Sequence, residues 1–594
     1  MARWAAVARM NLTLESIMDL KTRIDIAAGR QPADLVLRGG KIVNVLSGEI
    51  HDGDVAIAGD RIAGIGQYDG KEVIDLDGQY ICPGLIDAHV HIESSMLAVP
   101  QFARVVSAHG TTTAITDPHE IANVMGSEGI RYMLASSKYC PLHIYVMVSS
   151  CVPASRYETA GADLDALDIE PLLGDPWVLG LAEMMNYPGV VYGDADCLAK
   201  ISAAASQVVD GHAPGLGGRD LCAYAASGVA SDHECTTASE AAEKLRQGMY
   251  IMIREGSQAR NLKALLPLVT PANIDRFMFC TDDKDVTDLL EEGQIDHIIR
   301  QAIALGMDPI SAVRLGSHTA ARYFGLRDLG AVAPGRLASL AIVDNLKSFR
   351  VRRVYHAGRL VAVDGEPIDQ PTQSPRKLTL RSSINVKWIE PEQFVIAAPD
   401  SGDKPCHVHV MEVMEDRIDT ERSIERILPS GGALHAEPSR DLAKIAVIER
   451  HQASGNIGLG FVRGFGMTAG AIASTVGHDS HNLVVAGTND ADMQAAAVHL
   501  VKIRGGFCAV RDGLVLADVA LPIAGLMSDQ DADVLSDQLV RLHEKTAAII
   551  TKLRRPFMAL SFLTLSVIGK LKLTDQGLVD VDRFELIDLI AHAH

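Results

Sequence analysis

The stretch "PGLIDAHVHIESS", residues 83–95, sets two histidines one residue apart behind an apolar run. In an extended strand, residues i and i+2 point to the same side, so His89 and His91 can reach one ion together. An ordinary half-exposed strand would read the same way. What decides between the two is whether the rest of the chain supplies further ligands at positions that converge.

From Pro83 to about residue 325, apolar runs of strand length alternate with longer segments rich in Ala, Leu and Glu. The strand candidates are "YICPGLIDAHVH", "TTTAITDPHE", "LHIYVMVSS", "WVLGLAEMM", "QVVDGHAPG", "GVASDHE", "MYIMIREGS" and "RFMFCTDD". Eight strands alternating with helical patterns predict an α/β fold, a (β/α)8 TIM barrel over 83–330. On either side the text is β-hairpin-like, with Gly-Asp turns at 34–82 and similar strands at 331–384. The two flanks are expected to form one small split β-sandwich domain interrupted by the barrel. Residues 1–33 read as an N-terminal helical extension, "PIDQPTQSPRKL" (367–378) as a linker, and 385–594 as an additional C-terminal α/β domain.

A chain of 594 residues is too long for one core, in keeping with this division. The net charge of −20 argues against a nucleic-acid backbone as partner, because such binding rests on clustered Lys and Arg. Nine scattered cysteines without a C-x-x-C pair fit a reduced, cytoplasmic protein. The most apolar late stretch, "PFMALSFLTLSVIG" (556–569), is shorter than the roughly 20 residues that cross a bilayer, so no membrane partner is expected. It reads as a buried strand or helix.

Barrel enzymes carry their reactive groups at the C-terminal ends of the strands. Here those ends hold His89 and His91, Glu183, His212, His233, and Asp282 followed by Asp283. Imidazole nitrogens and carboxylate oxygens suit Zn²⁺, Mn²⁺ or Fe²⁺, and the set exceeds what one tetrahedral ion requires. The expectation is two divalent ions: His89, His91 and Asp282 serving one, His212 and His233 the other, Glu183 bridging. A water between them would lose its proton near neutral pH and become a nucleophile. Taken singly, each residue has a plainer reading, such as a turn histidine or an Asp at a helix N-terminus. The conjunction at the ends of one barrel's strands is what favours a metal site.

These strand-end residues resemble the amidohydrolase superfamily, and the split β-domain resembles its urease-like members. "PGLIDAHVHIESSM", "TDPHEIANVMG", "GLAEMMNYPGV", "DGHAPGLGG", "SDHECTT" and "FCTDD" are most similar to the bacterial-type adenine deaminases, and the region after 385 resembles their extra domain. Where many binuclear relatives bridge their metals with a carboxylated lysine, this chain offers Glu183. The resemblance implies hydrolytic deamination of adenine, with Asp282, Glu183 and His233 catalytic. Asp282 would carry the proton from water to the departing nitrogen, although its neighbour Asp283 could exchange roles with it.

His119 and Glu120 are candidates for polarising a ring nitrogen, with a turn and a capping residue as the plainer reading. Arg254, Glu255 and Ser257 could line the pocket, or Arg254 and Glu255 could be a structural ion pair. Glu93, Ser94 and Ser95 could support the histidines or cap a helix. His478, Asp479 and His481, in a Gly-rich C-terminal stretch, could reach the active site, buttress the barrel mouth or form a subunit contact. A homo-oligomer, dimer or larger, is expected.

The cytidine-deaminase zinc signature is incomplete: Cys406 lacks its second cysteine, and no H-E-x-x-H is present. The Gly-rich stretch matches no nucleotide-binding loop. The rival readings are a urease-like hydrolase of cyclic amides, of the dihydroorotase or hydantoinase type, and a non-catalytic scaffold.

Overall fold

The computed structural model describes residues 14–368, 380–399, 404–415, 417 and 419–591. The start of the N-terminal extension and the linker beyond Ile368 lie outside these residues. The helix Leu14–Ala27 packs through Ile26 on Ala33, Val36 and Ala56 of the small β-domain.

The barrel strands are β1 (Leu85–Val90), β2 (Thr111–Thr116), β3 (His143–Val148), β4 (Val178–Met184), β5 (Val208–Gly211), β6 (Ser231–Asp232), β7 (Tyr250–Arg254) and β8 (Phe277–Cys280). β1 to β5 form one parallel sheet and β6 to β8 a second. The ring closes twice. Ala230 N–H donates to Val209 O at 2.9 Å between β5 and β6, and a parallel bridge joins Val90 to Asp282 between β8 and β1. Every residue of β1 and β2 is buried, as expected of parallel strands covered on both faces. Ile86, Ala88, Ile115, Met147, Ala182, Met252 and Met278 fill the interior, so the barrel is a packed core with its chemistry confined to one rim. Helices start where a polar side chain satisfies free N–H groups: Asp194 caps Ala195–Ala203 and Thr237 caps Ala238–Arg246.

The flanking segments share one hydrogen-bonded, nine-stranded sheet rather than two separate ones. The reason is the long strand Ala33–Asn44. It pairs with Glu49–Ala58 along one edge and, along the other, first with Gly70–Asp75 and then with Tyr80–Pro83. Leu340–Val343, from beyond the barrel, pairs with Tyr80–Pro83, so the chain enters and leaves the barrel at neighbouring strands.

The C-terminal region is α/β: an eight-stranded sheet with helix Asp490–Ile503 on one face through Met493, Ala496, Ala497 and Leu500. Its other face, through Ile445, Val447, Ile472 and Val484, joins a cluster that includes Val90, Ile92, Phe102 and Ile121 of the barrel. The core is therefore continuous between the two domains. The apolar stretch at 556–569 begins as the short buried helix Pro556–Ser561.

Asp87, fully buried near the end of β1, ties the barrel shut. It accepts from Thr281 Oγ1 at 2.5 Å, Thr281 N–H at 3.1 Å, Gln294 Nε2 at 2.7 Å and His89 N–H at 3.3 Å. Asp87→Ala leaves those donors unpaired and is expected to cost about 2–4 kcal/mol, read as a lower urea midpoint than wild type.

Candidate active site

His89 and His91 leave β1 on the same side, with their Nε2 atoms 3.1 Å apart. His91 Nδ1 lies 3.0 Å from the carbonyl oxygen of Asp117, which fixes the proton on Nδ1 and turns the Nε2 lone pair toward its neighbours. Asp282 reaches the pair because its backbone is left-handed, φ 58°, immediately after its bridge to Val90. Its Oδ1 lies 3.0 Å from His91 Nε2 and 3.6 Å from His89 Nε2. Gly256 is required beside it, since a Cβ there would meet the carbonyl oxygens of Asp283 at 2.5 Å and Thr281 at 2.9 Å.

Glu183, at the end of β4, faces two groups with its two oxygens. Oε1 lies 3.3 Å from His91 Nε2 and 3.8 Å from His89 Nε2. Oε2 lies 2.6 Å from His212 Nδ1 and 3.2 Å from His233 Nε2. These residues form overlapping groups of buried N and O ligand atoms within 4.8 Å of one another. The donor set of imidazole nitrogens and carboxylate oxygens fits divalent cations.

Around this core the charges alternate. Arg254 Nη1 contacts Asp282 Oδ2, and its Nη1 and Nη2 donate to the two oxygens of Glu234 at 2.5 and 3.1 Å. Glu234 Oε1 in turn lies 3.3 Å from His233 Nε2 and 3.6 Å from His212 Nδ1. Burial opposes ionisation of Asp282, yet Arg254 with His89 and His91 holds its carboxyl well below the usual range. Its neighbour Asp283 moves the other way, raised by burial and by the Asp282 charge. The adjacent aspartates are thus distinguished: Asp282 in the cluster, Asp283 outside it, where it accepts from Ser94 Oγ at 2.5 Å.

His119 Nδ1 lies 3.2 Å from Asp117 Oδ2 and 3.4 Å from Glu183 Oε1, close against the ligand cluster. Glu120 beside it is gripped from above by the C-terminal domain. His478 Nδ1 is 2.9 Å from Glu120 Oε1, and His481 Nε2 contacts Oε2. His481 Nδ1 accepts from Gly477 N–H at 3.2 Å, so its ring proton sits on Nε2, the atom that contacts Glu120. The His478 ring stacks on Phe562, with centroids 4.5 Å apart. Of this stretch, His478 and Asp479 line the pocket over the ligand cluster.

The remaining expected residues take supporting places. Arg254 does not pair with Glu255, whose Oε1 accepts from Leu262 N–H at 2.7 Å. With Nη1 and Nη2 on Glu234 and Asp282, Arg254 positions carboxylates at the wall of the pocket. Glu93 lies in a short 3-10 turn, accepts from Ile121 N–H at 3.2 Å, and is pushed by burial to about 7. Ser95 Oγ donates to Ile92 O, and Ser257 N–H donates to Asp283 O at 2.7 Å. Two residues of the site were missed, Asp117 and Glu234. Both stand inside the strand-end stretches "TDPHE" and "SDHE". A cavity of about 760 Å³ adjoins the cluster and shares Asp283, His478 and Phe562 with the pocket above it, providing a way in.

A family model described as the adenine deaminase C-terminal domain matches residues 417–585, and one described as the amidohydrolase family matches 80–361. The chain is 50% identical over 572 residues to an adenine deaminase of Desulfatibacillum aliphaticivorans, covering 95% of this chain and 99% of that one. It is 47% identical over 570 residues to an adenine deaminase of Dehalococcoides mccartyi, covering 96% and 99%. A third, from Cereibacter sphaeroides, is 47% identical over 576 residues, with 96% and 99% covered.

The grip on Glu120 carries a pH signature. Burial would lower the His478 pKa, but Glu120, Asp283 and Asp479 outweigh it and raise it to about 9 from an unfolded value of 6.5. A raised imidazole stabilises the fold fully below 6.5 and loses that contribution as pH rises through 9. Thermal unfolding at pH 6.5 and 9.5 is expected to show that loss, on the order of 2–3 kcal/mol, and His478→Asn to remove it.

Proposed function

The chain belongs to the adenine deaminases of the amidohydrolase family, and from that premise we propose how its own residues perform the reaction. The reaction is hydrolytic deamination of adenine to hypoxanthine and ammonia, as in purine salvage. The observation that carries the proposed site is Glu183, whose two oxygens face separate imidazole groups. In this reading two divalent ions (Mn²⁺, Fe²⁺ or Zn²⁺) would be held, one by His89, His91 and Asp282 and the other by His212 and His233, with Glu183 a ligand common to both. When bound, they supply Lewis-acid chemistry that makes hydroxide available near neutral pH.

The chain provides the rest. Asp282, kept ionised by Arg254, accepts the proton of the attacking water and returns it to the departing amino nitrogen. His233, held between Glu183 and Glu234, lies beside the reacting carbon and steadies the attacking oxygen. His119, kept protonated by Glu120 and Asp117, faces the ring nitrogen next to that carbon and neutralises the negative charge that develops there, while Glu120 is oriented by His478 and His481. Asp283, fixed by Ser94, orients the base from the cavity side. We further propose a cytoplasmic homo-oligomer; nine free cysteines support a reducing compartment.

Purine turnover and metal content measured on one preparation test this reading. Wild type is expected to release ammonia from adenine and to leave hydantoins and dihydroorotate untouched. Chelation should abolish the activity, and Mn²⁺, Fe²⁺ or Zn²⁺ should restore it. Glu183→Ala is expected to lower kcat at least about 10³-fold and to retain less than one ion per chain. A fully metallated wild type without adenine turnover would overturn the assignment.

A further inference from the structure

The pocket over the ligand cluster has two walls that come from different domains. One is the loop after β8, which carries Asp282 and Asp283 and ends at Asp285, the cap of helix Val286–Glu291. The other is the C-terminal roof, with His478, Asp479 and Phe562. Each wall is tied within its own domain. Ser257, just after β7, holds the aspartate loop: its N–H donates to Asp283 O at 2.7 Å, and its Oγ accepts from Asp285 N–H at 3.0 Å. The roof hangs on the end of helix Pro556–Ser561. His478 N–H donates to Ser561 O at 2.9 Å, and Thr564 Oγ1 donates to His478 O at 2.8 Å.

Arg555 joins the two walls. It stands immediately before the roof helix, in the C-terminal domain, and reaches across to the barrel. Its Nη1 donates to Asp288 Oδ2 at 3.0 Å and its Nη2 to Asp288 Oδ1 at 2.8 Å, a bidentate pair, while Nη1 lies 3.3 Å from Asp285 Oδ2. The Asp288 side chain is 6% exposed, and the Asp288 N–H donates to Asp285 Oδ1 at 2.9 Å, so both carboxylates are fixed at the start of one helix. A planar fork on two such carboxylates sets direction as well as distance. Arg260, the other cation close to Asp288, stays 3.7 Å from it, pairs with Glu292 at 3.0 Å, and belongs to the barrel, so it cannot link the walls.

We propose that Arg555 is a positioning residue for the deamination: by clamping the loop of Asp282 and Asp283 to the helix that carries the roof, it fixes the gap into which the base fits. Arg555 lines the adjoining cavity and not the pocket over the ligand cluster, so it acts through the two walls rather than on the base. A displacement of about 1 Å, even one that starts far from the reacting atoms, can cost on the order of 100-fold in rate. The inference rests on the adenine reading above and adds the contact that holds its site to width.

Steady-state kinetics on adenine test the proposal in Arg555→Ala, Arg555→Lys, Asp288→Asn and the double variant Arg555→Ala/Asp288→Asn, each checked for metal content and melting temperature. Arg554→Ala is the control, since Arg554 pairs with Glu415 inside the C-terminal domain. Arg555→Ala is expected to lower kcat/KM at least about tenfold and to raise KM at least about fivefold, whereas a mere loss of folded enzyme lowers kcat at constant KM. Arg555→Lys keeps the charge without the fork and should fall between wild type and Arg555→Ala, a comparison that stands if the alanine variant does not fold. The double variant should be no worse than the worse single one, because the two side chains make one contact. Arg554→Ala should stay within about twofold of wild type in KM. Metal-loaded, folded Arg555 variants with the KM of wild type would overturn the proposal, as would additive losses in the double variant or an equal loss in Arg554→Ala. Wild type without adenine turnover would instead sink the functional reading itself.

Discussion

Glu183 is a carboxylate 2% exposed, placed among imidazoles from β1, β5 and β6, and the site is organised by the need to neutralise it. Burying such a charge costs several kcal/mol unless cations stand close to it. Protonated histidines serve in part, and the overlapping groups of imidazole and carboxylate atoms also suit divalent ions. Positive charge therefore belongs in the space between the imidazoles and the carboxylates, which is where divalent ions would lie. Beyond that space the alternation continues outward, from Asp282 to Arg254 to Glu234.

The barrel makes the neutralisation possible by geometry. Four strand ends deliver the histidines and Glu183, and the closure between β8 and β1 delivers Asp282 to His89 and His91. Asp87 fastens that closure from below, while the left-handed turn at Asp282 aims the carboxylate upward. A register slip of one residue in β1 would send both histidines into the packed wall, so fold and chemistry share one constraint.

This division explains what could be read from the chain alone. His89, His91, Glu183, His212, His233 and Asp282 each end a strand candidate, and strand ends of a barrel meet by construction. The α/β barrel and the α/β character of the C-terminal region were legible for the same reason: each is a local pattern. Glu234 and Asp117 were hidden because their roles come from partners distant in sequence, Arg254 for one and the Nδ1 of His91 for the other. The pairing of Arg254 with Glu255 failed because neighbours along a strand point to opposite faces. The nine-stranded sheet was illegible because one strand, Ala33–Asn44, changes partners midway along its edge.

The C-terminal domain follows from what an open barrel rim lacks. The strand ends supply ligands and proton carriers, but leave the far side of a bound base facing water. Here the far side is closed by a loop whose shape is set deep in the second domain. Arg450, fully buried, contacts the His481 carbonyl oxygen and donates to Ser383 O at 3.0 Å and Ala524 O at 3.1 Å. Lys572, lowered by burial to about 7, donates to Phe562 O at 2.7 Å. Buried donors that satisfy backbone carbonyls are expensive to displace, so loop and ring are held rigidly. Because the same apolar cluster runs from Val90 and Ile121 into the C-terminal sheet, that rigidity is transmitted to Glu120. The roof is thus registered to the catalytic rim by a shared core, although its domain supplies none of the six strand-end residues of the ligand cluster.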